Sequence, residues 1–253
     1  MAKENTSGLY IKGRLKKSGL TVYQRNGKMV ARSAHSDEKR SNTRKQFVAR
    51  QRMKHSMQLW SVMRRCNPCF DDSNSNYLRF VSLASQLPVV YTDRLWASPF
   101  LMPGIPVSEG SLPAVEQQLG EAGGRAALLT RTPFSAMMRG DEMVLYTLVQ
   151  RTYVNQLGLE ANMARWTVDE WKAGIEHLGV VPTVVDGCMA LTGDVLADDQ
   201  RGWALVHVRP ERGDRQGSRH STQSIVTRCT IYQQYTTEEA LQNAALSYGG
   251  LTD

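Results

Sequence analysis

Alternating apolar and polar residues dominate the chain beyond residue 110 and predict short β-strands. No helical pattern separates these strands, so they favour an antiparallel β-sandwich or barrel over an α/β sheet. Thr236 and Glu239 have the spacing of a capping box and predict a short C-terminal helix that Gly249-Gly250 ends. The candidate strands are Leu112–Leu119, Arg125–Leu129, Glu142–Thr152, Ala161–Asp169, Val180–Val185, Cys188–Thr192, Trp203–Arg209 and Gln223–Gln234.

Two further alternating runs near the N-terminus flank Asn26-Gly27, the dipeptide that most favours a two-residue type I′ turn. The runs Leu20–Arg25 and Lys28–Arg32 are therefore predicted to pair as a β-hairpin, with Gly8–Gly13 as a candidate third strand. A sheet of this size is marginal by itself in water, so it requires a helix or another chain against it.

Beyond the hairpin the period changes to that of a helix, which is predicted to run from Ser36-Asp37-Glu38 to Arg65. Cys66-Asn67-Pro68-Cys69 ends it, because the residue before a proline disfavours helical angles. A second helix over residues 72–86 follows a short loop, so the two helices are predicted to be antiparallel. The apolar stripe of the first helix is Ala49, Met53, Met57, Trp60 and Met63.

The proline- and glycine-rich stretch from Leu87 to Gly110 follows neither period and is interpreted as the join between two parts. The predicted fold class is therefore α+β. Residues 1–90 form a basic module of a hairpin and two antiparallel helices. Residues 91–253 form the β-sandwich domain with its C-terminal helix.

Positive charge is concentrated at the start of the chain. Residues 1–65 contain seventeen Lys and Arg but only three acidic residues, a net charge of +14, whereas the whole chain carries +7 and the remainder therefore −7. Such an asymmetry indicates a basic arm that meets something acidic, either a partner or the acidic part of the chain itself.

Two kinds of partner fit this arm. Phosphate contacts would come from the basic residues of segment 12–65, but no helix-turn-helix, zinc-finger or RNA-binding signature accompanies them. Docking onto protein subunits, including copies of the same chain, is favoured, with Met53, Met57, Trp60 and Met63 as the partner-binding residues. The candidate contacts to nucleic acid or an acidic partner are Lys16, Lys17, Arg40, Arg44, Lys45, Arg52 and Lys54.

Candidate chemistry is sparse, and no catalytic residue, metal ligand or cofactor is assigned. Cys66 and Cys69 are the only cysteines at metal or redox spacing, but further ligands are missing and the pair follows a helix instead of starting one. Arg139-Gly140-Asp141 matches an adhesion tripeptide, although Gly140-Asp141 is better explained as the turn before a strand. The five histidines fit no nucleophile or metal signature.

Localisation signals are also absent from the sequence pattern. The polar residues 1–7 offer no apolar core for a signal peptide, and no apolar run approaches the length of a membrane span. Four cysteines in 253 residues do not form a disulfide framework and are expected to be reduced. A cytoplasmic protein, or one packaged into a particle, is expected.

The glycine-punctuated opening, with Gly8, Lys12-Gly13, Gly19, Tyr23 and Asn26-Gly27 followed by Val30 and Arg32-Ser33, resembles that of a family of uncharacterised proteins from Bacteroidota. The resemblance implies a hairpin, an Arg- and Gln-rich helical segment and a C-terminal half that is an immunoglobulin-like or fibronectin-like antiparallel β-sandwich, and it implies no activity. The sequence thus favours a non-enzymatic structural or assembly protein, of host, phage or mobile-element origin. Nucleic-acid binding is the alternative, and an enzyme comes third.

Overall fold

The computed structural model describes residues 13–15, 20–25, 28–33, 42–70, 76–153, 156–210 and 218–252. Their contacts divide the chain into two compact units, Met1–Asn42 and Thr43–Asp253. The boundary predicted between residues 90 and 91 falls inside the second unit. The protein combines four helices with mostly antiparallel sheets in its described part, so the α+β class is confirmed.

Three antiparallel strands form the described part of the first unit, in the order β1-β2-β3. They are β1 (Gly13–Leu15), β2 (Leu20–Arg25) and β3 (Lys28–Ser33). Arg25 lies opposite Lys28, which leaves Asn26-Gly27 between the paired strands. The turn predicted at these two residues lies outside the described residues, as do residues 8–12 of the predicted first strand.

The second unit contains four helices in its described residues: α1 (Arg44–Met63), α2 (Asn76–Ala84), α3 (Val168–Ala173) and α4 (Glu238–Ser247). Its strands are β4 (Cys69–Phe70), β5 (Pro106–Glu109), β6 (Gln117–Ala122), β7 (Arg125–Pro133), β8 (Glu142–Tyr153), β9 (Gln156–Thr167), β10 (Val181–Val185), β11 (Cys188–Thr192), β12 (Arg201–Pro210), β13 (Ser218–His220), β14 (Gln223–Ser224) and β15 (Val226–Thr227).

The largest sheet has the order β13-β12-β8-β9, and β15 pairs with β12 beside it. A second sheet has the order β10-β11-β7-β6, and a small third sheet joins β14, β5 and β4. Strands β4 and β5 are parallel, whereas the other strand pairs of the described part are antiparallel.

Strand β8 is buried on both faces, which places the largest sheet in the middle of the unit. Successive side chains of a strand point to opposite faces. Leu145 belongs to a core with Leu128 of β7, in the second sheet. The next residue, Tyr146, belongs to a different core with Phe80 of α2. The largest sheet therefore lies between the second sheet and a helical layer.

The segment predicted to join two parts instead lies in the core between α1, α2 and the largest sheet. Val90, Phe100, Leu101 and Ile105 are at most 1% exposed. The prediction of a join at residues 87–110 is therefore wrong. Proline and glycine in this segment interrupt regular structure without making it a solvated linker, because many of its side chains are apolar and buried.

Helix α1 supplies hydrogen bonds to the backbone of this buried segment. The Nε2 amide of Gln51 donates to the carbonyl oxygen of Thr92 over 3.0 Å. The Nε2 atom of His55 accepts from the backbone N–H of Phe100 over 3.1 Å. Both side chains are buried. Because buried backbone groups outside a ladder must find other partners, these polar residues are part of the core.

The helices begin at other residues than predicted, because other residues cap them. Asn42 and Thr43 are not helical and Thr43 caps α1, so no continuous helix runs from Ser36 to Arg65; Ser36 itself lies outside the described residues. Helix α3 was missed: Thr167 and Glu170 form a reciprocal capping box that turns the end of the predicted strand Ala161–Asp169 into a helix. Helix α4 is capped by Thr237, one residue after the predicted position.

Most predicted strands are present, with two corrections. The interval Cys188–Thr192 is a strand as predicted, and the Glu142 strand extends to Tyr153. The interval Leu112–Leu119 becomes regular only at Gln117. The prediction of one strand over Gln223–Gln234 is wrong. This interval contains two strands of two residues each, and a 3-10 helix follows at Ile231–Tyr235.

Candidate functional site

The outward face of α1 displays two methionines among basic residues. Met53 is 49% exposed and Met57 is 50% exposed. Residues four apart are neighbours on a helix surface, so these two side chains form one apolar patch. Lys45 and Arg52 are also exposed on this helix, which contains no acidic residue. The patch is the candidate docking surface, defined here as the α1 face.

The buried face of α1 is a different stripe from the one predicted. It repeats every four residues and includes Phe47, Gln51, His55, Leu59 and Met63. Met63, predicted to share a face with Met53, is fully buried. The prediction of one apolar stripe is therefore wrong, because two polar residues occupy the centre of the true buried stripe.

Trp60 lies at the edge of the buried face and is half-buried. Its ring centroid is 5.8 Å from that of Tyr77 and 5.3 Å from that of Phe80, both in α2. Trp60 therefore packs against α2 through these two aromatic rings. Trp60 thus joins the two helices, and Met53 and Met57 are the exposed large apolar residues of the predicted stripe.

Two of the basic residues predicted to contact a partner instead make contacts within the chain. Arg44 forms a bidentate ion pair with Glu238 of α4. The Nζ atom of Lys54 donates to Thr92 Oγ1 over 3.0 Å and lies 3.3 Å from the hydroxyl of Tyr248. Lys45 and Arg52 remain exposed, whereas the predicted contacts Lys16, Lys17 and Arg40 lie outside the described residues.

The structure gives Cys66 no sign of a reactive role. Cys66 is 4% exposed, and its burial raises the pKa of the thiol above its ordinary value despite the nearby charge of Arg65. Cys69 lies in β4, opposite Ser108 of β5. Within the described ranges no cluster of three His, Cys, Asp or Glu residues is arranged to hold a metal ion.

A second candidate site, missed from the sequence, is centred on Asp141. This carboxylate is 1% exposed and binds two basic residues of β12. His207 Nε2 lies 2.8 Å from Oδ2, while Arg209 donates Nε to Oδ1 over 2.9 Å and Nη2 to Oδ2 over 2.7 Å. Burial by itself would raise the pKa of Asp141. Hydrogen bonds from Arg209, the Met138 N–H and His207 outweigh that effect and hold the pKa below its usual range.

The position of Asp141 bears on the adhesion tripeptide. The backbone N–H of Asp141 donates to the Met138 carbonyl, and Gly140 has a φ of +95°. A type II turn requires a positive φ at its third residue, so the predicted turn is confirmed. A receptor would need the Asp141 carboxylate at the surface, whereas it is buried and bound.

One signal in the sequence points to this cluster. His207 and Arg209 are two residues apart in a strand, so they share a face of an otherwise apolar run beginning at Trp203. Charged groups on a buried strand require a partner. The partner Asp141 comes from a turn 66 residues earlier, and no periodicity connects the two positions.

We expect Asp141→Asn to lower the free energy of unfolding by about 2 kcal/mol at pH 7, because it removes the charge that pairs with Arg209 in a mostly buried setting. The folded pKa lies below the unfolded value of about 3.9, so this stabilisation is present above pH 4 and is lost as the pH falls further. Urea unfolding at several pH values measures both effects. In Asp194→Asn, which alters an exposed ion pair 3.5 Å long, we expect a change below about 0.5 kcal/mol. Equal losses in the two variants would contradict the assignment.

Comparisons with known proteins found no match. No family model matches the sequence, and neither the curated proteins nor the solved structures gave a match. No helix in the described part of the chain is both long and apolar enough to cross a membrane. The two candidate sites are therefore interpreted from their own geometry: the α1 face displays an apolar patch among cations, and the Asp141 cluster holds a buried carboxylate between two bases.

Proposed function

We propose that the protein is a non-enzymatic structural or assembly protein that docks on partner subunits through its basic N-terminal module. The observation that carries the proposal is the pair of methionines, Met53 and Met57, half-exposed one turn apart on α1. Methionine is flexible and polarisable, and it is over-used at surfaces that bind other proteins. The exposed cations Lys45 and Arg52 provide a charged rim around this patch.

A fixed helix supports this function better than a mobile one. The inner face of α1 is held by Phe47, Leu59 and Met63 in the core, and by the hydrogen bonds of Gln51 and His55 to the buried segment. A docking surface on a rigid element loses little conformational entropy when the partner binds. The outer face of α1 is thus presented in a defined position.

A second copy of the chain is the partner that the charge distribution favours. Residues 1–65 carry a net charge of +14 and the remainder carries −7. Complementary potentials on the two parts favour contact between the basic part of one copy and the acidic part of another. The exposed methionines would then supply the apolar centre of that interface.

The test is the mass of the purified protein in solution. We expect sedimentation equilibrium to give a mass above the 28.3 kDa of one chain, before and after nuclease treatment. Met53→Glu combined with Met57→Glu should return the protein to a monomer, because two desolvated carboxylates at the centre of an interface cost several kcal/mol.

Leu246→Glu is the matched control, since Leu246 is 73% exposed on another helix, α4. This variant should keep the wild-type mass, and melting curves should show that all variants are folded. A wild-type protein that stays monomeric across the concentration range would contradict self-assembly.

Nucleic-acid binding is the alternative, favoured by the exposed Lys45 and Arg52 on a helix without acidic residues. It is weakened by the internal contacts of Arg44 and Lys54. In the same preparations, a mass that falls on nuclease treatment would favour this alternative. So would an affinity for mixed-sequence DNA that falls steeply with salt, because phosphate contacts release counterions.

The immunoglobulin-like or fibronectin-like sandwich remains a proposal about the fold. It is supported by two antiparallel sheets that share a core through Leu128 and Leu145. The helical layer on the other face of the largest sheet is an addition to that architecture. The N-terminal hairpin likewise remains a proposal, supported by the pairing of β2 with β3.

A further inference from the structure

Strand β9 forms one edge of the largest sheet. It contains 12 residues, whereas β13 at the opposite edge contains three. The second half of β9 is exposed, with Asn162, Met163 and Arg165 among its exposed residues. An edge strand presents a row of backbone N–H and C=O groups that can bind another strand. An exposed edge of this length is therefore a candidate site for a further strand.

The hydrogen-bond pattern shows which backbone groups of β9 are available. The N–H of Gln150 donates to the carbonyl of Gln200 over 2.8 Å, so the even-numbered residues of β8 bond to β12 and the odd-numbered ones bond to β9. The odd-numbered residues of β8 lie opposite even-numbered ones of β9, as Leu145 lies opposite Ala164. The backbone groups of the odd-numbered residues in β9 therefore point away from the sheet.

Three of these odd-numbered residues, Ala161, Met163 and Arg165, lie in or beside the exposed half. Their backbone N–H and C=O groups have no hydrogen-bond partner among the residues that the structure describes. Thr167, the last residue of the strand, differs because its N–H donates to the carboxylate of Glu170 over 2.8 Å. The available stretch of the edge is therefore centred on Met163.

A strand that pairs with this edge must have an unpaired edge of its own. In the described part of the second unit, the other edges offer less. Strand β10 contains Pro182, which has no N–H to donate, and β6 is bound to β12 and β14 through the side chain of Gln117. Strands β4 and β14 have two residues each. The strand that offers a matching row of backbone groups is β9 of a second copy.

We infer that β9 pairs antiparallel with β9 of a second copy, about a two-fold axis at Met163. Ala161 of each copy then lies opposite Arg165 of the other, and the two strands form about six backbone hydrogen bonds. Two exposed methionine side chains meet on one face of the joined sheet.

The inference rests on the proposed function in one respect, since copies of the chain must associate. The free energy of about six hydrogen bonds at an edge is comparable with the cost of bringing two proteins together. The β9 contact therefore adds to the contact through the α1 face and does not replace it.

The charges beside the edge permit two identical strands to approach. Arg165 is paired with Glu142 at 3.5 Å, and Glu160 is paired with Arg151 at 2.8 Å, each within one copy. Like charges directly opposite each other would destabilise the pairing. With the axis at Met163, neither Glu160 nor Arg165 lies opposite its own copy.

Charge substitutions at Met163 test the inference, because this residue faces its own copy across the axis. Sedimentation equilibrium of the full chain over a range of concentrations gives the Kd of self-association. We expect Met163→Lys and Met163→Glu each to raise this Kd about fivefold or more, because like charges then lie directly opposite each other. An equimolar mixture of the two variants should recover the wild-type Kd, because opposite charges then meet.

Val184→Lys and Val184→Glu are the matched controls, since Val184 is 47% exposed on β10, the edge strand of another sheet. They should leave the Kd unchanged, and melting curves should show that all variants are folded. Association that is lost in the Met53→Glu, Met57→Glu variant but unchanged by either substitution at Met163 would overturn the β9 pairing and leave the proposed function standing. Weakening by both substitutions without recovery in the mixture would also overturn the pairing. A monomeric wild-type protein would overturn both proposals.

Discussion

Lowering the pH from 7 to 4.5 should destabilise the protein by about 3 kcal/mol through His55, at roughly 1.4 kcal/mol for each pH unit below 6.5. Burial lowers the pKa of His55 to about 3. The folded pKa lies below the unfolded value near 6.5. The stabilisation is therefore complete above pH 6.5 and is lost as the pH falls towards 3. Guanidinium unfolding at pH 7, 6, 5 and 4.5 measures the slope.

The His55→Gln variant should have a flatter pH profile, because a glutamine oxygen can accept from the Phe100 N–H without titrating. His177→Gln is the matched control: His177 is partly exposed and contacts the ring of Trp166, and its loss should leave the slope unchanged. If His55→Gln retains the full slope between pH 7 and 4.5, the acid sensitivity belongs to other groups.

Gln150→Leu should lower the free energy of unfolding by about 4 kcal/mol. Gln150 is 1% exposed, its Oε1 accepts from the Leu101 N–H over 2.7 Å, and its Nε2 donates to the Gly158 carbonyl over 2.8 Å. Leucine fills similar space but leaves two backbone groups without partners, each at a cost of about 1–3 kcal/mol. Urea unfolding at pH 7 gives the difference.

Gln118→Leu is the control, since Gln118 is also a strand glutamine but is exposed in β6. We expect its effect to stay within about 0.5 kcal/mol, as for most surface substitutions. A loss below about 1 kcal/mol for Gln150→Leu would mean that water replaces the amide.

Local patterns predicted much of the fold. Strands such as Cys188–Thr192 were found because alternation and flanking turn residues lie close together in the sequence. The pairing of β2 with β3 was expected for the same reason. Helix ends were less predictable, since Thr43, Thr167 and Thr237 compete with neighbouring polar residues as caps.

The core between α1 and the largest sheet was not predictable, because its polar members look like surface residues. Gln51 and His55 broke the apolar stripe of α1, so Met53 and Met57 were assigned to it instead. The partner of Gln51, Thr92, is 41 residues away, and one of the two partners of Gln150, Leu101, is 49 residues away. Such contacts have no signature in local sequence. The Asp141 cluster escaped notice for the same reason.

The contact between α1 and α4 has a consequence for the order of events during synthesis. Phe47 is buried against Leu241 and Tyr248, and the ion pair of Arg44 joins residues 194 positions apart. Helix α1 therefore leaves the ribosome long before the residues that cover this part of it, and closing so large a loop is slow. The polar residues in its buried stripe, Gln51 and His55, then have a second effect. They make the uncovered helix less prone to aggregate while the rest of the chain is translated.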